Sequence, residues 1–179
     1  MSKVLSFGVI GIFVTLASCA SPSLVKTQAY AKLKNQRTFE NELPVVWRAT
    51  TKVFENYKLV SREPKGDRDS DAAETNAMNK RTDAMLETDW SYAQSRDKYV
   101  EFKVNGSPKK KYLQIRTKTK VVLKKSVGGT DVTVSINEEV EKMMPDGTSD
   151  GYTSVDVPDS SRASEVLDKI DNALLAGAP

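Results

Sequence analysis

The chain has 179 residues, 28% of them charged, with a formal net charge of +3, no histidine and one cysteine. That length suits one domain with a real core, and the near-balanced charge gives no electrostatic footprint for nucleic acid. Without histidine or a second cysteine, an intrachain disulfide, a thiolate metal site, imidazole-based triads and nearly all zinc chemistry are excluded.

The first element is an export segment. Lys3 supplies a minimal positive region, and Val4–Leu16 is a 13-residue apolar run too short to span a bilayer. It ends in Leu16-Ala17-Ser18-Cys19. This ending resembles a bacterial lipoprotein signal, whose lipobox reads Leu-Ala/Ser-Gly/Ala/Ser-Cys. The resemblance implies cleavage before Cys19, a diacylglyceryl group on its sulfur and an acyl chain on its amine. The mature chain would hold 161 residues. Several acyl chains together anchor a protein almost irreversibly, where one holds only marginally. Ala20 follows the cysteine, and the lack of an aspartate there is similar to outer-membrane lipoproteins. The resemblance therefore implies an envelope protein, lipid-anchored to the outer membrane and facing the periplasm. Residues 1–18 are read as the signal peptide, 19–36 as a polar tether and 37–179 as a single domain.

Within the domain, residues 37–41 read as a short first strand. Pro44 then opens a helix, where its missing N–H costs nothing, with Val46, Ala49, Val53, Phe54 and Tyr57 on one apolar face and Trp47 beside it. A strand over 57–63 follows. Residues 64–83 form a long exposed loop, with a turn of helix expected near 72–78. Asp67, Asp69 and Asp71 alternate in this loop, but the twelve-residue calcium pattern fails, so no metal is expected.

Four strands with period-two alternation come next. Leu86, Thr88, Trp90 and Tyr92 share one face of the first, and Val100, Phe102 and Val104 one face of the second. Leu113, Ile115, Thr117, Thr119, Val121 and Leu123 share one face of the third, and Val132, Val134, Ile136 and Val140 one face of the fourth. Gly128-Gly129 is read as a type I′ hairpin turn, placing Leu123 opposite Val134, Lys118 opposite Glu139 and Arg116 opposite Glu141. A loop over 106–109 would set Phe102 against Leu113 and Val100 against Ile115. After a short return near Tyr152 and Val155, Ala163, Val166, Leu167, Ile170, Ala173 and Leu174 form the apolar stripe of a last helix. This order predicts an α+β, two-layer, helix-grip-like domain, a mostly antiparallel sheet packed on an N-terminal and a C-terminal helix.

A second resemblance rests on Pro44-Val45-Val46-Trp47 and Leu86-Glu87-Thr88-Asp89-Trp90. These segments, in an exported lipoprotein, resemble the BamC (NlpB) type of lipoprotein over roughly residues 39–175, with one helix-grip unit in place of two. The resemblance implies a non-catalytic accessory of outer-membrane β-barrel assembly.

The candidate partner surface is a basic column, Arg116, Lys118, Lys120 and Lys124, suited to lipid head groups or an acidic partner; the plain alternative is a solvated face with carboxylates across from it. Trp47 and Trp90 could line a groove between helix and sheet or fill the core, and Tyr92 and Tyr99 carry the same ambiguity. Glu87 and Asp89 are paired carboxylates, but on an exposed strand nothing raises either pKa as a general acid requires. No catalytic residue and no cofactor is expected. The residues imply a lipid-anchored interaction protein of the periplasm, held to the membrane through Cys19 and docking on an envelope assembly or maintenance complex. The alternative is a module for a lipid or hydrophobic ligand between sheet and helix, with a cell-wall enzyme third.

Overall fold

The computed structural model describes residues 25–26, 34–64, 76–144, 147–155 and 160–177. Its strands are β1 (Val25–Lys26), β2 (Gln36–Phe39), β3 (Leu59–Glu63), β4 (Asp83–Thr88), β5 (Ser91–Val104), β6 (Ser107–Ser126), β7 (Gly129–Met143) and β8 (Ser149–Ser154). Its helices are α1 (Leu43–Val53), a turn α2 described over 76–79, and α3 (Ser160–Leu175).

All eight strands join one antiparallel sheet built around the β6–β7 hairpin, whose strands run 20 and 15 residues. At the turn end of this hairpin, β4 borders β6, β3 borders β4, and β2 borders β7. At the opposite end, β5 borders β6, β1 borders β5, and β8 borders β7. Helices α1 and α3 pack on each other and on the turn end.

The helix-grip-like, two-layer α+β expectation is thus overturned. The fold is a mostly antiparallel sheet whose long strands run well past the helices. A helix of 11 residues spans only about 16 Å, whereas β6 spans about 65 Å, so the helices cannot cover the whole sheet.

The main core fills the turn end. Val46, Trp47 and Ala49 of α1, Leu167 and Ile170 of α3, and Leu86, Val121, Leu123, Val132 and Val134 of the sheet are all buried. Trp47 lies inside the buried face of α1, at 0% exposure, and Arg62 stacks over its ring at 5.6 Å. The buried face is rotated from the expected one toward Leu43, Trp47 and Thr50, while Tyr57 lies beyond the helix and is exposed. Arg37 of β2 ties the edge of the sheet to α3 through Asp168 and Asp171, at 2.6 and 3.4 Å.

Both hairpin registers differ from the expected ones by an even number of residues. The β6–β7 ladder closes at Ser126 opposite Gly129, so Leu123 faces Val132, Val121 faces Val134 and Arg116 faces Glu139. The β5–β6 ladder closes at Val104 opposite Ser107, so Phe102 faces Lys109 and Val100 faces Lys111. There Asn105 and Gly106 are the two central residues, with φ of 51° and 79°, the left-handed pair a two-residue turn needs. An even slip keeps every side chain on its own face, so alternation alone cannot detect it.

Strands β4 and β5 run in the same direction along one edge of β6, as one ribbon broken at Asp89-Trp90. The pairing slips by one residue at this break, Glu87 facing Lys120 and Ser91 facing Thr117. A one-residue slip exchanges the two faces. Leu86 therefore points into the core, whereas Tyr92 pairs with Arg116 on the other face.

Candidate functional site

The outer face of the sheet, away from the helices, carries a cluster built by that slip. The Arg116 guanidinium lies 4.5 Å from the ring centroid of Trp90 and 4.5 Å from that of Tyr152, between β5 and β8. Its Nε donates to Glu139 at 2.7 Å across the β6–β7 ladder. Tyr92 meets Tyr152 edge-on at 6.1 Å and is 60% exposed. Tyr152 donates its hydroxyl to Gln114 at 3.0 Å, and the Gln114 N–H donates to Glu141 at 3.1 Å. A cleft of about 560 Å³ opens beside this network, lined by Tyr92, Tyr112, Gln114, Lys111 and Glu141. Aromatic faces, an arginine and fixed amide and carboxylate groups thus share one open surface.

The rest of the predicted basic column is balanced by carboxylates. Lys118 pairs with Glu87 at 2.9 Å, Lys120 sits beside Glu87 and Ser135, and Lys124 lies between Asp83 and Asp131 in the ladders. Arg116 faces Glu139 and Lys118 faces Asn137, which corrects the two expected cross-strand pairs. The two tryptophans do not share a groove. Trp47 is sealed in the core, whereas Trp90 is half-buried against Arg116 on the opposite face. Between β2 and α3 lies an open cleft of about 670 Å³, lined by residues 34–38, Ser164 and Leu167; Leu167 is its one large apolar lining residue.

Glu87 and Asp89 are both held by lysines, Asp89 by Lys58 at 2.7 Å. The Lys58 hydrogen bond and that from the Trp90 N–H hold the Asp89 carboxyl below its ordinary range, the reverse of what a general acid needs. Cys19 and the alternating aspartates 67, 69 and 71 lie outside the described residues. Among the described residues, no group of three or more acidic or cysteine side chains is placed to hold a metal ion, and no helix is long and apolar enough to cross a membrane.

On the inner face, sequence reading passed over a buried ionic network. Lys98 is 4% exposed and donates to Glu138, 1% exposed, at 2.8 Å. Asp97 lies 3.3 Å from the same ammonium. Arg162 of α3 reaches the other Glu138 oxygen at 3.2 Å, an ion pair without hydrogen-bond alignment. Ser95 accepts from the Lys98 and Asp97 N–H groups and donates to the Asp97 carboxylate, shaping a bulge in β5 between Gln94 and Tyr99. The network separates the main core from a small second cluster, Leu113, Ile115 and Val140. Its one signal in the sequence is Glu138, a carboxylate at an inward position of the Val132, Val134, Ile136, Val140 series.

No known protein family matches this sequence, and no curated protein matches it. The site must therefore be read from its own chemistry.

Arg116→Lys keeps the charge but gives up the flat guanidinium between two rings. It is expected to lower the urea unfolding midpoint, with Arg116→Ala lowering it further. Equal stability of all three proteins would mean that the rings do not hold the arginine in solution.

Proposed function

We propose that this chain is a lipid-anchored, non-catalytic interaction protein of the bacterial envelope, and that its partner surface is the aromatic–arginine patch of the outer face. The observation that carries the reading is Arg116 clasped between Trp90 and Tyr152, with Tyr92 largely exposed beside it. Tryptophan, tyrosine and arginine are the residues enriched at the energetic centres of protein interfaces, because they offer large area at low entropic cost and directional hydrogen bonds. Lys118 of the same face is already bridged to Glu87, so the patch suits a partner that buries rings and caps one arginine more than a strongly acidic one. The anchor rests on Leu16-Ala17-Ser18-Cys19. The partner belongs to envelope assembly or maintenance. The BamC-type resemblance lends this reading no support, since the helix-grip arrangement it implies is absent.

The test places a photo-crosslinking amino acid at Tyr92 or, as control, at exposed Val60 on β3 at the other end of the sheet. In intact cells a discrete envelope protein is expected to crosslink at Tyr92, not at Val60, and to be lost with Arg116→Glu. The Cys19→Ser chain is expected in the soluble fraction. Equal crosslinking at both positions, or none at Tyr92, would remove the patch from consideration.

A further inference from the structure

The β5–β6 hairpin continues past the body of the sheet as a two-stranded arm, and residues 101–112 are all exposed. A two-stranded hairpin is marginal in water by itself, and an arm exposed on both faces gains little from its own side chains. Yet this one presents Phe102 and Val104, 47% and 44% exposed, in one row of β5. Lys109 stands opposite Phe102 in the ladder, and Lys111 opposite Val100. Lys103 and Lys110 lie on the other face, so the arm holds four lysines against one carboxylate, Glu101. Among the described residues none of these four lysines makes an ion pair, whereas Lys58, Lys118 and Lys142 are each bridged to a carboxylate.

We propose that this arm lies on an anionic lipid surface, the head-group region of the membrane that holds the anchor. The inference rests on the anchored reading above. Exposed aromatic and aliphatic side chains flanked by lysines fit an interface, where the ring enters the acyl boundary and the ammonium groups reach phosphates along their own stems. Chain connectivity brings the two together. Strand β1 pairs with β5 at the base of the arm, Val25 opposite Tyr99. Cys19 lies six positions before Val25, so the chain between them spans at most about 22 Å. The arm from Tyr99 to Asn105 is about 20 Å long, within reach of the same bilayer. Each lysine near an anionic surface strengthens contact about fivefold, so the arm is sensitive to both lipid charge and salt.

The experiment uses the processed, membrane-extracted protein carrying Ser107→Cys at the arm tip, labelled with an environment-sensitive dye and reconstituted into vesicles of phosphatidylcholine or phosphatidylglycerol. Dye uptake by the wild-type protein would expose an unmodified Cys19 and sink the anchored reading on its own. With Cys19 blocked, the dye at position 107 is expected to shift to the blue and be quenched by lipid-phase quenchers on phosphatidylglycerol vesicles only. Lys109→Gln with Lys111→Gln, both on the face of Phe102, should weaken that contact by roughly 25-fold. A spectrum identical on the two lipids overturns the proposal. So does a shift that follows protein density instead of lipid charge, which would assign the arm to a second copy of the chain.

Discussion

Gly129→Ala is expected to lower stability by about 3 kcal/mol or more, read from urea unfolding at equilibrium. A Cβ at Gly129 would sit 2.0 Å from the backbone oxygen of Phe39 and 2.9 Å from the backbone of Glu40, and the residue holds φ at 128°, a region closed to alanine. Neither obstacle is a flexible side chain. Strand β2 would have to leave β7, withdrawing Phe39 from the core and breaking the Thr130 hydroxyl bond to the Asn41 carbonyl at 2.9 Å. Loss of one buried aromatic alone accounts for about 1.5–3 kcal/mol, with backbone strain in addition. The neighbouring Gly128 meets nothing within 4 Å, so Gly128→Ala is the matched control, expected within about 0.5 kcal/mol of wild type. A Gly129→Ala protein as stable as that control would show that β2 does not cross the hairpin here.

Lys98→Met carries the second large effect, an expected loss of about 3–5 kcal/mol. The substitution fits the space but leaves Glu138 buried with only the misaligned Arg162 for company. Breaking one side of a buried pair costs far more than removing both sides, because the surviving charge keeps its desolvation penalty. Lys98→Met combined with Glu138→Leu should therefore recover most of the loss, with Arg162 free to turn toward water. A single variant costing less than about 1 kcal/mol would mean that water reaches Glu138.

The same pair sets an alkaline limit. Burial pushes the Lys98 ammonium toward neutrality, but the Glu138 hydrogen bond and charge, with Asp97, outweigh it and hold its pKa above the ordinary 10.5. A pKa higher in the folded than in the unfolded chain gives a contribution fully present below about 10.5 and lost as pH rises through the folded value. Wild type should accordingly lose stability above pH 10.5 more steeply than the double variant.

The local elements were largely legible. The period-3.6 stripes at Val46 and Ala49 and at Leu167 and Ile170 lie on the two helices, and the period-two runs around Val121 and Val134 lie on strands, because burial on one side imposes those periods. Registers were less legible, since an even slip preserves every face. The candidate site was legible only in part. Arg116 and Trp90 stand out in the sequence, but their contact depends on a one-residue slip at Asp89-Trp90, and Tyr152 arrives from a strand 36 residues further on.

What the sequence determined by itself is what neighbouring residues decide: the apolar faces and the lack of imidazole chemistry. Tertiary structure alone decided which strands lie side by side, why Gly129 admits no side chain, and that Lys98 and Glu138, 40 residues apart, neutralise one another in the interior. Those outcomes depend on packing between distant segments, where a shift of one residue exchanges core for surface and no local period records the choice.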